Sequence, residues 1–572
     1  MASCVVNFVL CLLPSLLFLL LSLALRWPWV SCWTRLAVRA AGLRLWVIIC
    51  LILDLPLNKN TTTQTTEAGS AGTDILSGSG QSSDGPRLIC KPTALANYLL
   101  HHCGSLARPR LASWPRGDPN IQTLSSLLDP SHGDMLQFTR DHLLLKDGGI
   151  VALDWAVGLR PTERRRWEGR KEIQAGGKTI GCFSTSPPVL LLIPQYWGGM
   201  TPHLQALCQQ AIHQGFYVVV FHPRGTAGCP LTTARLTEFG DPADLEQALA
   251  YVHSRHPSSA LFAVSEGSGS GTLLSYLGES GSSSYLTAAA AISPVLMGQQ
   301  WFETALPPVY HWGVLFQRKM QLRRYASSFR ESLNVDQILR CSSLKDFEET
   351  LFCSVEAEPQ QTEPRPSMSS QSPGLSSGSF PSQSRPSSVA WALGERAYLA
   401  KDWERYWERN EPLRDADEVA VPVLCICSCD DPLLLPASSL PVPLFQSNPY
   451  FLLALTDRGG HCGFTLEGQE EGVKGGKTGN VEMEEDNWSH VVVLEYFRVV
   501  AEFLKREERE SAIFGSQPED FSHTGMWSRA SSVVPPRRRR NAGMRRPRTL
   551  AQEPGSVDTE ESDFTWKRSY TR

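Results

Sequence analysis

The sequence lacks an excess of charge of either sign. Its 572 residues carry 54 Lys and Arg against 58 Asp and Glu, a formal net charge of −4. Such a balance offers no electrostatic footprint for a polyanion, so we expect no nucleic-acid partner. The local exception is a basic cluster in the polar segment 511–572. The cluster begins with Arg537 to Arg540. We predict a disordered tail there, with contact to anionic lipid or to a protein partner as the sharper alternative.

The cysteines are numerous but lack a spaced framework. There are 15 of them, an odd number, and none forms the turn-spaced pairs that are typical of zinc sites. Cys425, Cys427 and Cys429 alternate along one apolar run, so in a strand they would point to the same face. We expect buried free thiols in a reducing compartment, and neither a metal nor an organic cofactor.

The N-terminal segment 1–57 lacks the basic region of an ordinary signal peptide. Val5 to Leu25 is an uncharged apolar run that is long enough to span a bilayer, and four arginines follow it up to Arg44. By the positive-inside rule these arginines favour a single-pass protein whose following chain is cytosolic. The alternative is secretion after cleavage near Ser22 to Ala24. The apolar stretch Leu45 to Leu53 is too short to predict a second span.

Three low-complexity segments interrupt or flank one folded domain, which we place at 88–510. Residues 58–87 are rich in Thr, Ser and Gly and predict a flexible linker. The inserts 356–388 and 467–487 have the composition of disordered loops, and either could contact a protein partner.

Between these segments, strand patterns alternate with helix patterns. Asp147-Gly148 separates two apolar runs, His142 to Leu145 and Ile150 to Ala156, and predicts a hairpin. The remaining elements indicate an α/β fold with a mostly parallel sheet and helices on both faces. The predicted strands are Val189 to Ile193, Tyr217 to Phe221, Leu261 to Val264, Leu286 to Ile292, Val423 to Cys427 and Tyr450 to Leu455. The predicted helices are Thr201 to Gln214, Asp244 to His253, Gly267 to Leu277 and Val491 to Lys505.

A candidate nucleophile lies where a short apolar strand meets a helix. Ala263-Val264-Ser265-Glu266-Gly267 fits a G-x-S-x-G elbow in which the first glycine is replaced by alanine. Ser265 would be the nucleophile, and the N–H group of Glu266 would be one oxyanion donor. A serine that only caps the following helix is the competing interpretation.

An acid, a base and a second oxyanion donor follow from the same pattern. Asp430 and Asp431 end one strand, and His461 lies in a glycine-flanked loop after the last strand. The chain order of serine, then aspartate, then histidine is that of the α/β-hydrolases, although spacing leaves the choice between Asp430 and Asp431 open. The loop after Val189 to Ile193 would supply the other oxyanion N–H, which we place on Tyr196.

The segment 299–418 interrupts the alternation and predicts a helical cap over this site. It is rich in aromatic residues, which either line an apolar pocket or pack the cap onto the sheet. These residues are Trp301, Phe302, Tyr310, Trp312 and Phe316.

Several longer motifs resemble the AB hydrolase 4 family. They include Phe221-His222-Pro223-Arg224-Gly225, Phe262 to Ser270, Asp430 to Leu433 and Gly459 to Phe464. The resemblance implies an α/β-hydrolase fold, single-pass membrane attachment and serine-hydrolase chemistry on lipid or ester substrates.

Carried over residue by residue, the resemblance assigns the nucleophile to Ser265, the acid to Asp431 and the base to His461. Most relatives carry glycine where Ala263 and Gln195 stand, and a bulky residue at 195 would narrow the oxyanion hole. We therefore expect a membrane-associated hydrolase of carboxylic esters. The alternative is a weak or inactive hydrolase-fold protein that acts as a binding or regulatory scaffold in lipid metabolism.

Overall fold

A computed structural model describes residues 28–56, 86–106, 109–128, 136–159, 186–329, 333–354, 396, 398–467 and 487–514. Within these residues the strands are Arg87–Ile89 (β1), Leu136–Leu144 (β2), Ile150–Leu159 (β3), Val189–Ile193 (β4), Tyr217–His222 (β5), Leu261–Glu266 (β6), Ala288–Ile292 (β7), Val423–Ser428 (β8) and Phe451–Thr456 (β9). They form one sheet in the order β1-β9-β8-β7-β6-β4-β5-β3-β2.

The centre of the sheet is parallel and its edges are antiparallel. From β5 through β4, β6, β7 and β8 to β9, each neighbouring pair runs parallel. At one edge β1 pairs antiparallel with β9, and at the other the β2–β3 hairpin joins β5. In the hairpin turn Gly148 has a φ of 82°, a conformation that favours glycine. The predicted hairpin and the mostly parallel sheet are confirmed.

Helices cover both faces of the sheet, as predicted. On one face Phe262 and Val264 pack in a core with helices α2, α4 and α14, whereas Leu261 and Ala263 face α5 and α6 on the other. The helices described are Pro28–Ile52 (α1), Ala94–His102 (α2), Pro119–Leu128 (α3), Pro202–His213 (α4), Ala243–Arg255 (α5), Ser270–Ser280 (α6), Gly298–Glu303 (α7), Pro308–Arg324 (α8), Ala326–Phe329 (α9), Val335–Arg340 (α10), Leu344–Phe352 (α11), Trp403–Asn410 (α12), Val442–Ser447 (α13) and Trp488–Phe514 (α14).

The strand β6 is longer than its hydrophobic run. The sequence predicts an end at Val264, but Ser265 and Glu266 continue the ladder opposite Ala291 and Ile292 of β7. The next three residues, beginning with Gly267, form a 3₁₀ turn, so α6 begins only at Ser270. Backbone pairing, which side-chain polarity does not reveal, holds the two polar residues in the strand: Ser265 pairs with β4 and β7, and Glu266 pairs with β7.

The segment after β7 builds the cap from helices α7 to α12. Trp301 and Phe302 are buried in a separate aromatic core of this cap, together with Trp407. Trp312 and Phe316 stack on each other at the surface of α8, where 67% and 49% of their areas are exposed. The predicted aromatics therefore divide between packing of the cap and its outer surface.

The predicted localisation requires a correction. Among the described residues no helix is both long and apolar enough to cross a bilayer, and this includes the 25 residues of α1. A single-pass membrane protein is therefore not supported. The run Val5 to Leu25, on which that expectation rested, lies outside the described residues, as do residues 57–85, most of the two inserts and the tail beyond Phe514.

Candidate active site

An aspartate and a histidine meet at the carboxyl edge of the sheet. Asp431 follows β8 and His461 follows β9, two neighbouring parallel strands that end at the same edge. The Oδ2 atom of Asp431 lies 2.9 Å from Nδ1 of His461, and both side chains are almost completely buried. This contact orients the imidazole so that Nε2 points away from the carboxylate.

The structure distinguishes between the two candidate acids. Asp431 contacts the imidazole through one oxygen and accepts the N–H group of Leu433 with the other, at 2.8 Å. Asp430 instead accepts the N–H group of Gly460 at 2.9 Å. Burial raises the pKa of Asp430 to about 6. Asp431 is therefore the partner of His461, and Asp430 shapes the loop that carries the histidine.

Helix α3 fixes the backbone of His461 from the other side. The N–H group of His461 donates to the Thr123 hydroxyl at 2.9 Å, and the Ser126 hydroxyl donates to the His461 carbonyl at 2.7 Å. Burial disfavours the charged imidazole, but the Asp431 carboxylate outweighs it and holds the pKa of His461 well above its usual value. The pair has the geometry of a general base with its orienting carboxylate.

Ser265 is not bonded to this pair, which corrects its predicted position. It lies within β6, opposite Ile193 of β4 and Ala291 of β7, and none of its surface is exposed. Its hydroxyl has no hydrogen-bond partner, so no hydrogen bond joins it to His461. The alternation of side chains along β6 puts it on the face of Leu261 and Ala263, inside the sheet rather than on a turn above it.

The tight turn lies two residues later, at Gly267. Its φ is 50°, the left-handed region that side chains other than glycine rarely adopt. A Cβ atom built on Gly267 would lie only 2.8 Å from Nε2 of His461. A strained strand-to-helix turn that faces the histidine is the position of the nucleophile in a hydrolase elbow. In this chain that position carries no side chain.

Comparison with known proteins decides the family. The human protein ABHD15 is 42% identical over 494 residues, which cover 85% of this chain and 86% of that protein. The chain belongs to the ABHD15 family. Human phospholipase ABHD3 is 25% identical over 67% of this chain and 80% of its own length. Medium-chain fatty acid ethyl ester synthase/esterase 2 of Saccharomyces cerevisiae is 28% identical over 49% of this chain and 58% of its own length.

Other comparisons add little to this assignment. No family model matches the chain. Among solved structures, an esterase of Pyrococcus furiosus is 11% identical and covers 58% of this chain and 87% of its own, with a TM-score of 0.29. That score is too low to support a conclusion. The α/β-hydrolase fold of this ABHD15 relative rests on its own sheet and on the sequence relationship.

The two residues predicted to supply oxyanion N–H groups, Tyr196 and Glu266, make other contacts in the structure. The N–H group of Tyr196 lies in the predicted loop after β4, but it donates to the Ser268 hydroxyl at 3.0 Å. Ser268, rather than Glu266, is the residue that follows the turn at Gly267. Glu266 still pairs with β7, and its carboxylate accepts the Thr201 hydroxyl at 2.8 Å. The hydroxyl of Ser268 thus occupies the donor that an oxyanion would need.

Gln195 fills the remaining space at the turn. Its side chain is 1% exposed, and neither its amide nitrogen nor its amide oxygen has a hydrogen-bond partner. Its amide carbon would lie 3.4 Å from a Cβ atom on Gly267. The sequence indicates that Gln195 narrows the oxyanion loop, and the structure places its amide beside the elbow.

The Tyr196 side chain connects this loop to the cap. Its hydroxyl donates to Glu348 at 2.7 Å and accepts from Arg318 at 3.0 Å. Tyr406 donates to the same Glu348 oxygen at 2.7 Å. All four side chains are buried, so any movement of the cap would disturb the backbone of the oxyanion loop.

A small apolar depression lies between the segments that follow β7 and β8. About 300 Å³ of space, open to solvent, is bounded there by residues including Val295, Leu434 and Trp301, and neither Asp431 nor His461 lines it. Leu434 comes three positions after Asp431 in the chain. This depression is where an apolar group could lie next to the carboxyl edge of the sheet.

Proposed function

We propose that this protein binds ester or lipid molecules with an α/β-hydrolase fold and does not form a covalent acyl-enzyme. The observation that carries the proposal is the glycine at the turn that faces Nε2 of His461. Ester hydrolysis by a serine enzyme begins when the serine hydroxyl oxygen, deprotonated by that histidine nitrogen, attacks the carbonyl carbon of the ester. Gly267 has no side-chain hydroxyl that could act as this nucleophile.

The expected loss of activity is large. In a triad enzyme, removal of the nucleophile lowers kcat by about 10⁶, and only binding and oxyanion stabilisation remain. Here the oxyanion donor of Tyr196 is also engaged by Ser268. An oxyanion donor is worth about 10² to 10³ in kcat. These two features together support a binding or regulatory role over turnover.

The relatives and the apolar depression between the segments that follow β7 and β8 support the ligand class. One relative is called a phospholipase and another a fatty acid ethyl ester synthase/esterase. The depression is lined by Leu, Val, Pro, Met and Trp side chains, which suit an acyl chain. We infer that an acyl ester or lipid binds there, and that the cap contacts it.

Ester hydrolysis by Ser265 is the competing function. The retained pair of Asp431 and His461 favours it, because a buried carboxylate and imidazole in this geometry are the acid–base half of a triad. The position of Ser265 inside β6 speaks against it.

Labelling with a fluorophosphonate probe separates the two functions. We expect folded wild-type protein and Ser265→Ala to remain unlabelled, while a fluorescent medium-chain acyl ester analogue binds both without being cleaved. Wild-type labelling that disappears in Ser265→Ala would overturn the proposal and establish the hydrolase. Absence of both labelling and ester binding would refute the inferred ligand class.

A further inference from the structure

Three side chains with metal-binding chemistry meet on the opposite face of β6 from Ser265. His203 comes from the first turn of α4, Glu266 is the last residue of β6, and Cys462 follows His461. One nitrogen, one oxygen and one sulfur atom from these residues all lie within 4.8 Å of one another. Their exposed fractions are 4%, 0% and 0%, so the cluster is inside the protein.

The imidazole of His203 lacks the partners that a buried ring requires. Neither its Nδ1 nor its Nε2 atom has a hydrogen-bond partner, although both are inaccessible. Burying a polar group without a hydrogen bond is costly, and native structures rarely leave both ring nitrogens unused. The ring faces Glu266, with Nδ1 at 3.4 Å from Oε1. A ligand between the two atoms would satisfy it.

The carboxylate of Glu266 has His203, whose ring is charged only when protonated, within ion-pair distance, and no other ion pair of Glu266 is seen among the described residues. The Thr201 hydroxyl lies 2.8 Å from both of its oxygens and supplies one neutral hydrogen bond. A fully buried carboxylate is ordinarily paired with a cation or bound to a metal. Thr201 also accepts the N–H group of Leu204, so the hydroxyl is fixed and holds the carboxylate in one orientation. Ligands of metal ions are commonly held by such outer hydrogen bonds.

We propose that His203, Glu266 and Cys462 bind one Zn²⁺ ion, with water as the fourth ligand. Imidazole, thiolate and carboxylate are the three ligand types that zinc takes in proteins. One carboxylate and one thiolate balance the two charges of the ion. Zinc bonds of about 2.1 Å to nitrogen and oxygen place tetrahedral ligand atoms about 3.4 Å apart, which matches the separation of Nδ1 and Oε1. The sulfur atom closes on the ion by a shift of about 1 Å at most.

The ion would connect three elements that shape the elbow. It would tie α4 to the end of β6 and to the loop that carries His461. Cys462 has a φ of 62°, an uncommon conformation for a residue other than glycine, and its N–H group donates to the Ser293 hydroxyl at 3.0 Å. Strained backbone of this kind concentrates at ligand sites. No spaced pair in the sequence indicates this site, because its ligands come from three distant segments.

The test uses the full-length protein purified with and without Zn²⁺. X-ray absorption of the zinc-loaded wild-type protein should show one ion per chain, with one sulfur and three nitrogen or oxygen scatterers. Cys462→Ser should lose the sulfur scatterer and bind zinc at least tenfold more weakly. Cys208→Ser, a matched change of a buried thiol on α4 outside the cluster, should bind zinc like the wild type.

A second measurement protects the test against misfolded variants. Co²⁺ bound to wild-type protein should give a thiolate-to-cobalt charge-transfer band and the strong visible absorption of tetrahedral coordination. No stoichiometric Zn²⁺ binding by folded wild-type protein, or a shell without sulfur, would overturn the proposal and leave a buried pair of His203 and Glu266. A shell with several sulfur atoms would also overturn it, because it would place the ion elsewhere.

Discussion

The glycine at the elbow makes Gly267→Ser the most informative single change. A side chain here must adopt a φ of 50°, which costs about 1–2 kcal/mol for a residue other than glycine. Its Cβ atom would lie 2.8 Å from Nε2 of His461, so the imidazole must move by a few tenths of an ångström. A new hydrogen bond from the serine hydroxyl to Nε2 returns about 1 kcal/mol. We expect the free energy of unfolding to fall by about 1 kcal/mol.

The gain is a nucleophile in front of an existing base. Gly267→Ser should become labelled by a fluorophosphonate and should hydrolyse a p-nitrophenyl acyl ester slowly. Ser268→Ala added to it frees the Tyr196 N–H group that Ser268 now engages. One oxyanion donor is worth about 10² to 10³ in kcat, so the double variant should be faster by up to that factor.

Gly267→Ala is the matched control. It has the same strain and the same contact with His461 but no hydroxyl, so it should be less stable than Gly267→Ser by about the 1 kcal/mol of the missing hydrogen bond, and it should stay unlabelled. The reasoning fails if Gly267→Ser folds, as judged by circular dichroism and thermal unfolding, and yet is neither labelled nor active. It also fails if both variants are as stable as the wild type, because the left-handed turn would then not be present.

Three further changes test the fold. Arg140 binds the Asp154 carboxylate, whose pKa lies well below its usual value despite burial. The stabilisation from this ion pair is present above about pH 4 and is lost as the pH falls further. The melting temperature of Asp154→Asn should therefore depend less on pH between 5 and 3 than that of the wild type. Arg224→Ala removes the cation that Asp147 and Asp244 share and leaves Asp147 only a 3.5 Å contact with Arg235. It should cost about 3–5 kcal/mol in urea unfolding, against less than about 0.5 for exposed Arg405→Ala; equal losses would contradict this. Gly313→Ala, inside α8 with no atom within 4 Å of its Cβ, should raise stability by about 0.5–1 kcal/mol, and a loss would show a contact that the structure lacks.

The parallel part of the sheet could be predicted because its strands are buried on both faces, whereas β1 and the first half of β2, which are partly exposed, were not predicted. Val189 to Ile193 is a continuous apolar run, and the structure gives the same bounds to β4. Thr201 and Pro202 predict the start of α4, where the Thr201 side chain accepts the Leu204 N–H group. Element ends are less determined, since main-chain pairing extends β6 through two polar residues. The order of the strands requires long-range pairing that local patterns do not encode.

One half of the candidate site, the pair of Asp431 and His461, could be predicted from the strand pattern. Asp431 and His461 each follow an apolar strand, and parallel strands deliver such residues to one edge. The packing of Gln195 against the turn and the bond from Tyr196 to Ser268 depend on distances between loops. The three proposed zinc ligands could not be predicted from the sequence because they come from separate elements and become neighbours only on the folded sheet.

A sequence motif alone does not decide which residue lies on the turn that faces His461; the backbone conformation is also needed. Two overlapping windows fit the elbow pattern: residues 263–267 place Ser265 at the centre, and residues 265–269 place Gly267 there. Chemistry favours the first window, because only that window has a serine, a possible nucleophile, at its centre. Geometry favours the second, because φ is positive at Gly267 and the histidine faces it. A turn can face the base only after the last paired residue of the strand, and that residue is Glu266. Ser265 is therefore a strand residue, and the turn that faces the pair of Asp431 and His461 carries glycine.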